Sequence, residues 1–294
     1  MPSQRPPTID PVAAQRWSSM PGLETPWLHE EVARRMRGRL DLILKQPASW
    51  VHWHPLQGGM QVHGAIVKKY PKADCFVFES QAPRARLVAQ LFAKRWWNSR
   101  RWIGPQEVFA YPQSPVDMLW SNMGLHMAAD PQAWIAKWHE CLAVGGFLMF
   151  SCFGPDTLIE LRGLYKEQAW PPPSHEFTDM HDWGDMLVQA GFAEPVMDME
   201  RITLTFASAE RMLLELRGLG RNLHRGRFEG LRGRTWHGLL LEGLKGAATG
   251  NAGQHQLTFE IIYGHAFKAA PRFAVMAESH VPLTQLKGAL RRKV

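Results

Sequence analysis

The spacing of apolar residues changes along the chain, and each change marks a different element. In residues 28–44, Val32, Met36, Leu40 and Ile43 follow helical steps while Arg34, Arg35, Arg37 and Arg39 take other faces, which predicts an amphipathic helix. An alternation of short apolar runs and helical segments follows. Ser49–His54 (SWVHWH), Asp74–Glu79 (DCFVFE), Val116–Ser121 (VDMLWS) and Phe147–Phe153 read as strands, with a short one at Val108–Ala110. Met60–Tyr70, Arg84–Lys94 (Leu87, Leu91 and Phe92 on one side) and Pro131–Leu142 read as helices. The last is opened by Asp130-Pro131 and closed by Gly145-Gly146. Strands alternating with helices at this spacing imply a doubly wound, mostly parallel α/β sheet.

After Phe153 the rhythm shifts. Thr157 and Glu160 form a T-x-x-E pattern that predicts a capped helix to about Lys166, and Pro171-Pro172-Pro173 breaks it. Asp179–Ala190 is a further helix, stopped by Gly191. Glu200–Phe206 and Leu257–Phe267 are β-branched and aromatic, hence strands. Between them lie helices near Ala209–Leu216 and Thr235–Leu244, flanking an Arg/Gly-rich stretch. The expected organisation is an N-terminal surface segment (1–27), one domain (28–270) with a helical lid insertion (about 208–248), and a basic C-terminal tail (271–294).

Composition narrows the class. The chain has 294 residues, 45% hydrophobic and 21% charged, enough for a large core without disulfides. The three cysteines, Cys75, Cys141 and Cys152, are far apart and form no CxxC, which argues against a disulfide framework or zinc site and for a reducing cytoplasm. No signal-type N-terminus or membrane-length apolar run occurs, and no nucleic-acid motif stands out. The net charge is +7, concentrated at Arg217, Arg221, His224, Arg225, Arg227, Arg232 and Arg234 and in the last residues, a field that attracts acidic partners.

A family shows itself from Asp117 to about Gly226. The runs VDMLWSNMGLHM, WIAKWHECLAVGGFLMFSCFGPDTLIELR, FTDMHDWGDMLVQAGFAEPVMDMERITLTF and LLLELRGLGRNLHRGR, with LTFEIIYGHAFK, resemble the BioC-type malonyl-[acyl-carrier-protein] O-methyltransferases. The resemblance implies the seven-stranded class I methyltransferase sheet with an antiparallel last strand. It also implies S-adenosyl-L-methionine (SAM) as cofactor across the carboxyl ends of the strands, and an acidic acyl-carrier protein as partner, docked by the basic 217–234 segment.

The first loop departs from that family. Where members carry D-x-G-x-G-x-G, this chain has Trp53-His54-Pro55-Leu56-Gln57-Gly58-Gly59, and only Gly59 keeps its place. Pro55 removes an N–H, and Trp53 and Gln57 are expected to crowd the cofactor. The acid expected before Val116–Ser121 is replaced by GPQEVFAYP. Glu79 survives where the family's acid binds ribose hydroxyls. Gly59, Glu79, Ser121 and Asn122 are therefore the candidate cofactor residues, and His126, Arg162 and Arg217 the candidate acceptor residues, the arginines because a guanidinium matches a carboxylate. No catalytic acid or base is expected, since a carboxylate acceptor is already anionic. His52, His54 and His63 lack the further ligand a metal site needs. Two functions stay open: an active methyltransferase with an unusual cofactor loop, or a non-catalytic relative that binds a partner.

Overall fold

The computed structural model describes residues 9–20, 25–92, 107–247 and 254–270. The basic C-terminal tail, Lys94 and Gly104–Gln106 lie outside them. The elements run α1 (Pro11–Ser19), α2 (Trp27–Arg39), β1 (Ser49–Trp53), α3 (Pro55–Gly58), α4 (Gln61–Lys69), β2 (Asp74–Phe78), α5 (Ala82–Leu91), β3 (Glu107–Val108), β4 (Val116–Ser121) and α6 (Pro131–Cys141). They continue with β5 (Leu142–Phe153), α7 (Ile159–Glu167), α8 (Met180–Gln189), β6 (Phe192–Phe206), α9 (Ala209–Leu219), α10 (Arg234–Ala247) and β7 (His255–Lys268).

The strands form one seven-stranded sheet in the order β3-β2-β1-β4-β5-β7-β6. The first five are mutually parallel, and β7 runs antiparallel to both β5 and β6. The parallel half is the doubly wound sheet that the residue pattern implies, and the seven-stranded order with its antiparallel strand is the class I methyltransferase sheet that the resemblance implies. Both faces are covered, so the parallel strands are apolar on both sides. On β1, Trp50 points to the face packed by α2, α4 and α5, and Val51 and Trp53 to the face packed by α6 and α8. Gly264 of β7 lies under Phe150 of β5, where a Cβ would fall inside the phenyl ring. Glycine is what lets these two antiparallel strands approach.

Several local expectations are corrected. The helix before β5 ends at Cys141 rather than at Gly145-Gly146, which lie inside the β5 extension. Leu91 is exposed, and α5 packs through Val88 instead. The Thr157/Glu160 box does not form. Thr157 Oγ1 donates to the Glu260 carbonyl and Glu160 accepts from Thr258, so both side chains serve β7, and α7 starts from Leu158 in the left-handed region. The Asp130 and Asp179 caps do form on α6 and α8.

The N-terminal segment carries a helix that the composition did not reveal. Asp10 caps α1, and Ala14 and Trp17 pack with Ile9 on Leu223 of the stretch between α9 and α10. Arg225 donates to the Ile9 carbonyl and Arg227 pairs with Asp10 at 2.8 Å. These two arginines hold the N-terminal segment. Arg227→Ala is expected to speed hydrogen exchange of the Asp10 amide, which donates to the Leu223 carbonyl, and to make residues 9–20 more susceptible to protease. An unchanged exchange rate would remove the tether.

Candidate functional site

The carboxyl ends of β1, β2, β4 and β5 open on one edge, the functional edge of open α/β sheets. Beside β1 and β2, the chain closes on itself. His54 adopts φ 53° and ψ 57°, which turns the backbone into the single helical turn of α3. That turn reverses the strand alternation. His52 meets His63, with Nδ1 atoms 3.1 Å apart, while the His54 ring packs on Phe78 and Trp134. The three histidines therefore do not converge. Trp53 does not crowd a cofactor either: its ring packs into the core against Phe78 and Trp138.

The backbone of this loop is held by surrounding side chains. Glu79 accepts the Leu56 N–H at 3.0 Å, Thr25 Oγ1 donates to the Leu56 carbonyl at 3.0 Å, and His29 Nδ1 donates to the Gln57 carbonyl at 2.7 Å. Asn122 Nδ2 donates to the carbonyls of Gly58 and His29, and Asn122 Oδ1 accepts from Ser151. Glu30 of α2 accepts from the Met60 amide. A Cβ on Gly58 would stand 2.7 Å from the Asn122 carbonyl, so the β1 and β4 loops touch backbone to backbone. Gly59, at φ 108°, faces Glu30 of α2. Ser121 is buried at the end of β4, paired in register with Trp53 and Phe150. The four candidate cofactor residues thus lie together, and the hydrogen bonds of Glu79 and Asn122 go to the chain itself.

Glu79 is buried, and burial pushes its carboxyl up to about 7, against the opposing effects of the Leu56 amide and the nearby Arg84. Arg84 is itself buried and donates to the Trp17 and Met20 carbonyls at the end of α1. A guanidinium there complements the carbonyls at the helix C-terminus.

Beside β4 and β5 the edge holds a cavity of about 130 Å³. Its wall includes His126, Phe153, Thr157, His175, Leu219 and Arg221. His126 Nδ1 accepts the Phe153 N–H at 3.4 Å, which places its proton on Nε2. His175 Nε2 donates to the His126 carbonyl at 2.9 Å, leaving Nδ1 a bare acceptor with no partner among the described residues. Burial holds both rings neutral, pushing His175 down to about 4 and His126 well below its ordinary range.

The arginines divide. Arg162 does not reach this cavity; its guanidinium holds the Pro155 and Thr157 carbonyls and borders a separate outer groove. Arg217 is exposed on α9 and lines neither. Arg221, rather than Arg217, stands at the cavity wall; its guanidinium donates to the Arg217 and Gly220 carbonyls and lies 5.5 Å from the Trp17 ring. His29, His175 and Arg221 escaped the site prediction. The Pro-Ser-His sequence Pro173–His175 and the Arg221-Asn222 pair carry no spacing signal, because their partners come from elements far apart in the chain.

No protein-family profile matches the chain. Curated relatives do. The malonyl-[acyl-carrier protein] O-methyltransferase of Gallionella capsiferriformans is 38% identical over 259 residues, 83% of this chain and 85% of its own. That of Laribacter hongkongensis is 35% identical over 262 residues, covering 83% and 84%. The chain belongs to the malonyl-[acyl-carrier protein] O-methyltransferase family. Solved structures agree on the fold. A Bacillus halodurans protein assigned as a methyltransferase superposes with TM-score 0.53 at 14% identity, over 81% of this chain and all of its own. The YcgJ protein of Bacillus subtilis superposes with TM-score 0.52 at 10% identity, over 83% and 100%. Among the described residues no helix is long and apolar enough to cross a membrane.

Proposed function

We propose that this chain receives a malonyl-type thioester on an acyl-carrier protein as the acceptor for methyl transfer. The observation that carries the reading is the cavity at the β4 and β5 ends. Its volume is near that of the ~150 Å³ engineered cavity that accepts benzene, so a short acyl group fits. Neutral His126 offers an Nε2–H donor, which suits a thioester carbonyl or a carboxylate oxygen, while the bare Nδ1 of His175 is an acceptor and suits an amide N–H rather than the acid. Arg221 supplies the positive charge that a carboxylate needs when it leaves water.

Methyl transfer to a carboxylate oxygen needs no general base, because the acceptor is already anionic at neutral pH. The protein's part is to hold the acyl group in line and keep water out. Phe153, Leu219 and the neighbouring apolar wall serve the second task. The donor expected of the fold is SAM. The residues at the strand-end donor position do not fit it as they stand, because the chain's own hydrogen bonds already engage them. The closed loop favours a second reading, a carrier-binding relative that recognises the acyl group without transferring a methyl.

Titration with malonyl-, acetyl- and unacylated carrier protein tests the acceptor reading. Malonyl carrier is expected to bind best, and Leu219→Trp, which fills the cavity, to weaken that binding about tenfold, or ~1.4 kcal/mol, while leaving unacylated carrier unaffected. Equal affinity for all three carriers would remove the acceptor cavity from the function.

A further inference from the structure

We infer that the donor position of this sheet is filled by the chain's own β1 loop, and that SAM is not held there. The inference stands on the geometry of residues 54–60 and not on the acceptor reading.

A ligand lying across the ends of β1 and β2 needs two things from the protein. It needs a carboxylate with free acceptor capacity for its hydroxyls, and it needs bare backbone close to the strand ends. Here the first is reduced and the second is withheld. The Glu79 carboxylate is buried, and its Oε1 already accepts the Leu56 N–H, which engages part of its acceptor capacity. That amide is presented by α3, a helical turn that Pro55 starts with its fixed φ. Pro55, Leu56 and Gly58 are all buried, so the turn is packed into the protein rather than poised at its surface. On the other side, Asn122 ties the β4 loop to Gly58 and to His29 of α2, and the two loop backbones are in van der Waals contact. From above, α2 closes the loop through His29 and Glu30, and Thr25 reaches the Leu56 carbonyl.

The chemistry of the substitutions is consistent with this closure. In a loop that must receive a ligand, each carbonyl and amide left for the ligand has to be satisfied by water when the ligand is gone. Along residues 56–60 the carbonyls of Leu56, Gln57 and Gly58 and the amides of Leu56, Gly58, Gly59 and Met60 all have partners within the protein. Opening the loop for a ligand breaks several of these bonds together and uncovers Leu56. The electrostatics point the same way. Glu79 is pushed up to about 7, so part of the population carries a neutral carboxyl at physiological pH, which can accept fewer hydrogen bonds than a carboxylate.

Calorimetric titration of the full chain with SAM and with S-adenosylhomocysteine tests the inference, with malonyl-carrier binding on the same sample kept as a separate readout. The expected result is a dissociation constant weaker than ~100 μM for both ligands. Amide exchange at Leu56 and Met60 should stay slow whether or not SAM is present. Low-micromolar binding that is lost in both Glu79→Gln and Gly58→Ala, together with faster Leu56 exchange on adding SAM, would overturn it. Micromolar binding that both variants leave unchanged would put SAM elsewhere on the chain and uphold the inference. Failure of the malonyl carrier to bind would count against the acceptor cavity alone.

Discussion

Lowering the pH from 7.5 to 5 is expected to unfold this protein. Five histidines, His29, His52, His54, His126 and His175, are buried, and burial depresses every one of them below its ordinary range. His29 and His175 fall to about 4 and His54 to about 3. The sign follows from linkage. Below ~6.5 the denatured chain takes up protons at these positions while the folded chain does not, so stability is full above that pH and is lost as the pH falls. Each such histidine costs up to ~1.4 kcal/mol per pH unit, so at pH 5 the five together cost on the order of 10 kcal/mol. Glu79 opposes them. Its folded value of about 7 lies above its unfolded one, so the folded state gains a proton first as the pH falls and recovers ~2 kcal/mol. The remainder is comparable to the whole stability of an ordinary domain. Urea midpoints measured at pH 7.5, 6.5, 5.5 and 5 should therefore fall steeply below pH 6.5. A midpoint that stays level to pH 5 would mean that these rings meet water or a counter-charge.

The sheet could be read from the sequence because its strands announce themselves. DCFVFE and VDMLWS are short apolar runs bounded by turn residues, and Asp130 and Asp179 stand directly before apolar-periodic segments. The antiparallel Leu257–Phe267 segment, by contrast, owed its direction to the family resemblance. Local patterns misled where a long-range partner took the side chain instead. Thr157 and Glu160 have the spacing of a cap, yet the edge of β7 offers them Glu260 and Thr258. The α1 helix was hidden because only Ala14 and Trp17 bury on so short an element, and their partner Leu223 lies some two hundred residues away in sequence.

The site was legible in composition but not in arrangement. Trp53, Pro55 and Gln57 marked the β1 loop as unusual, and the structure agrees that the loop is closed. The agent is different from the one expected: Trp53 turns into the core, and the loop is filled by the backbone of α3 and by Leu56. Likewise Glu79 and Asn122 were recognisable as strand-end polar residues, while their choice of partner depends on the His54 backbone entering the left-handed region. A non-glycine residue with positive φ has no dependable signature in sequence. Arg162 illustrates the same limit, since its helix was placed correctly and its guanidinium nonetheless turns to carbonyls of its own chain.

Asn122 separates a ligand-binding residue from a structural latch most sharply. Its side chain satisfies the Gly58 and His29 carbonyls and accepts from Ser151, all of them buried in the fold. Asn122→Leu keeps the approximate volume and removes every one of these bonds. Each buried polar group left without a partner costs ~1–3 kcal/mol, so the variant is expected to lose about 4 kcal/mol. Asn122→Asp should be no better, because it turns an acceptor oxygen toward two carbonyls where a donor is required. A residue kept free for a ligand behaves in the opposite way: replacing it abolishes binding and leaves the unfolding transition where it was. Urea unfolding at pH 7.5 distinguishes the two. A loss below about 1 kcal/mol in Asn122→Leu would show that the β1 loop is not fastened from the β4 side, and that the strand edge is more open than its hydrogen bonds imply.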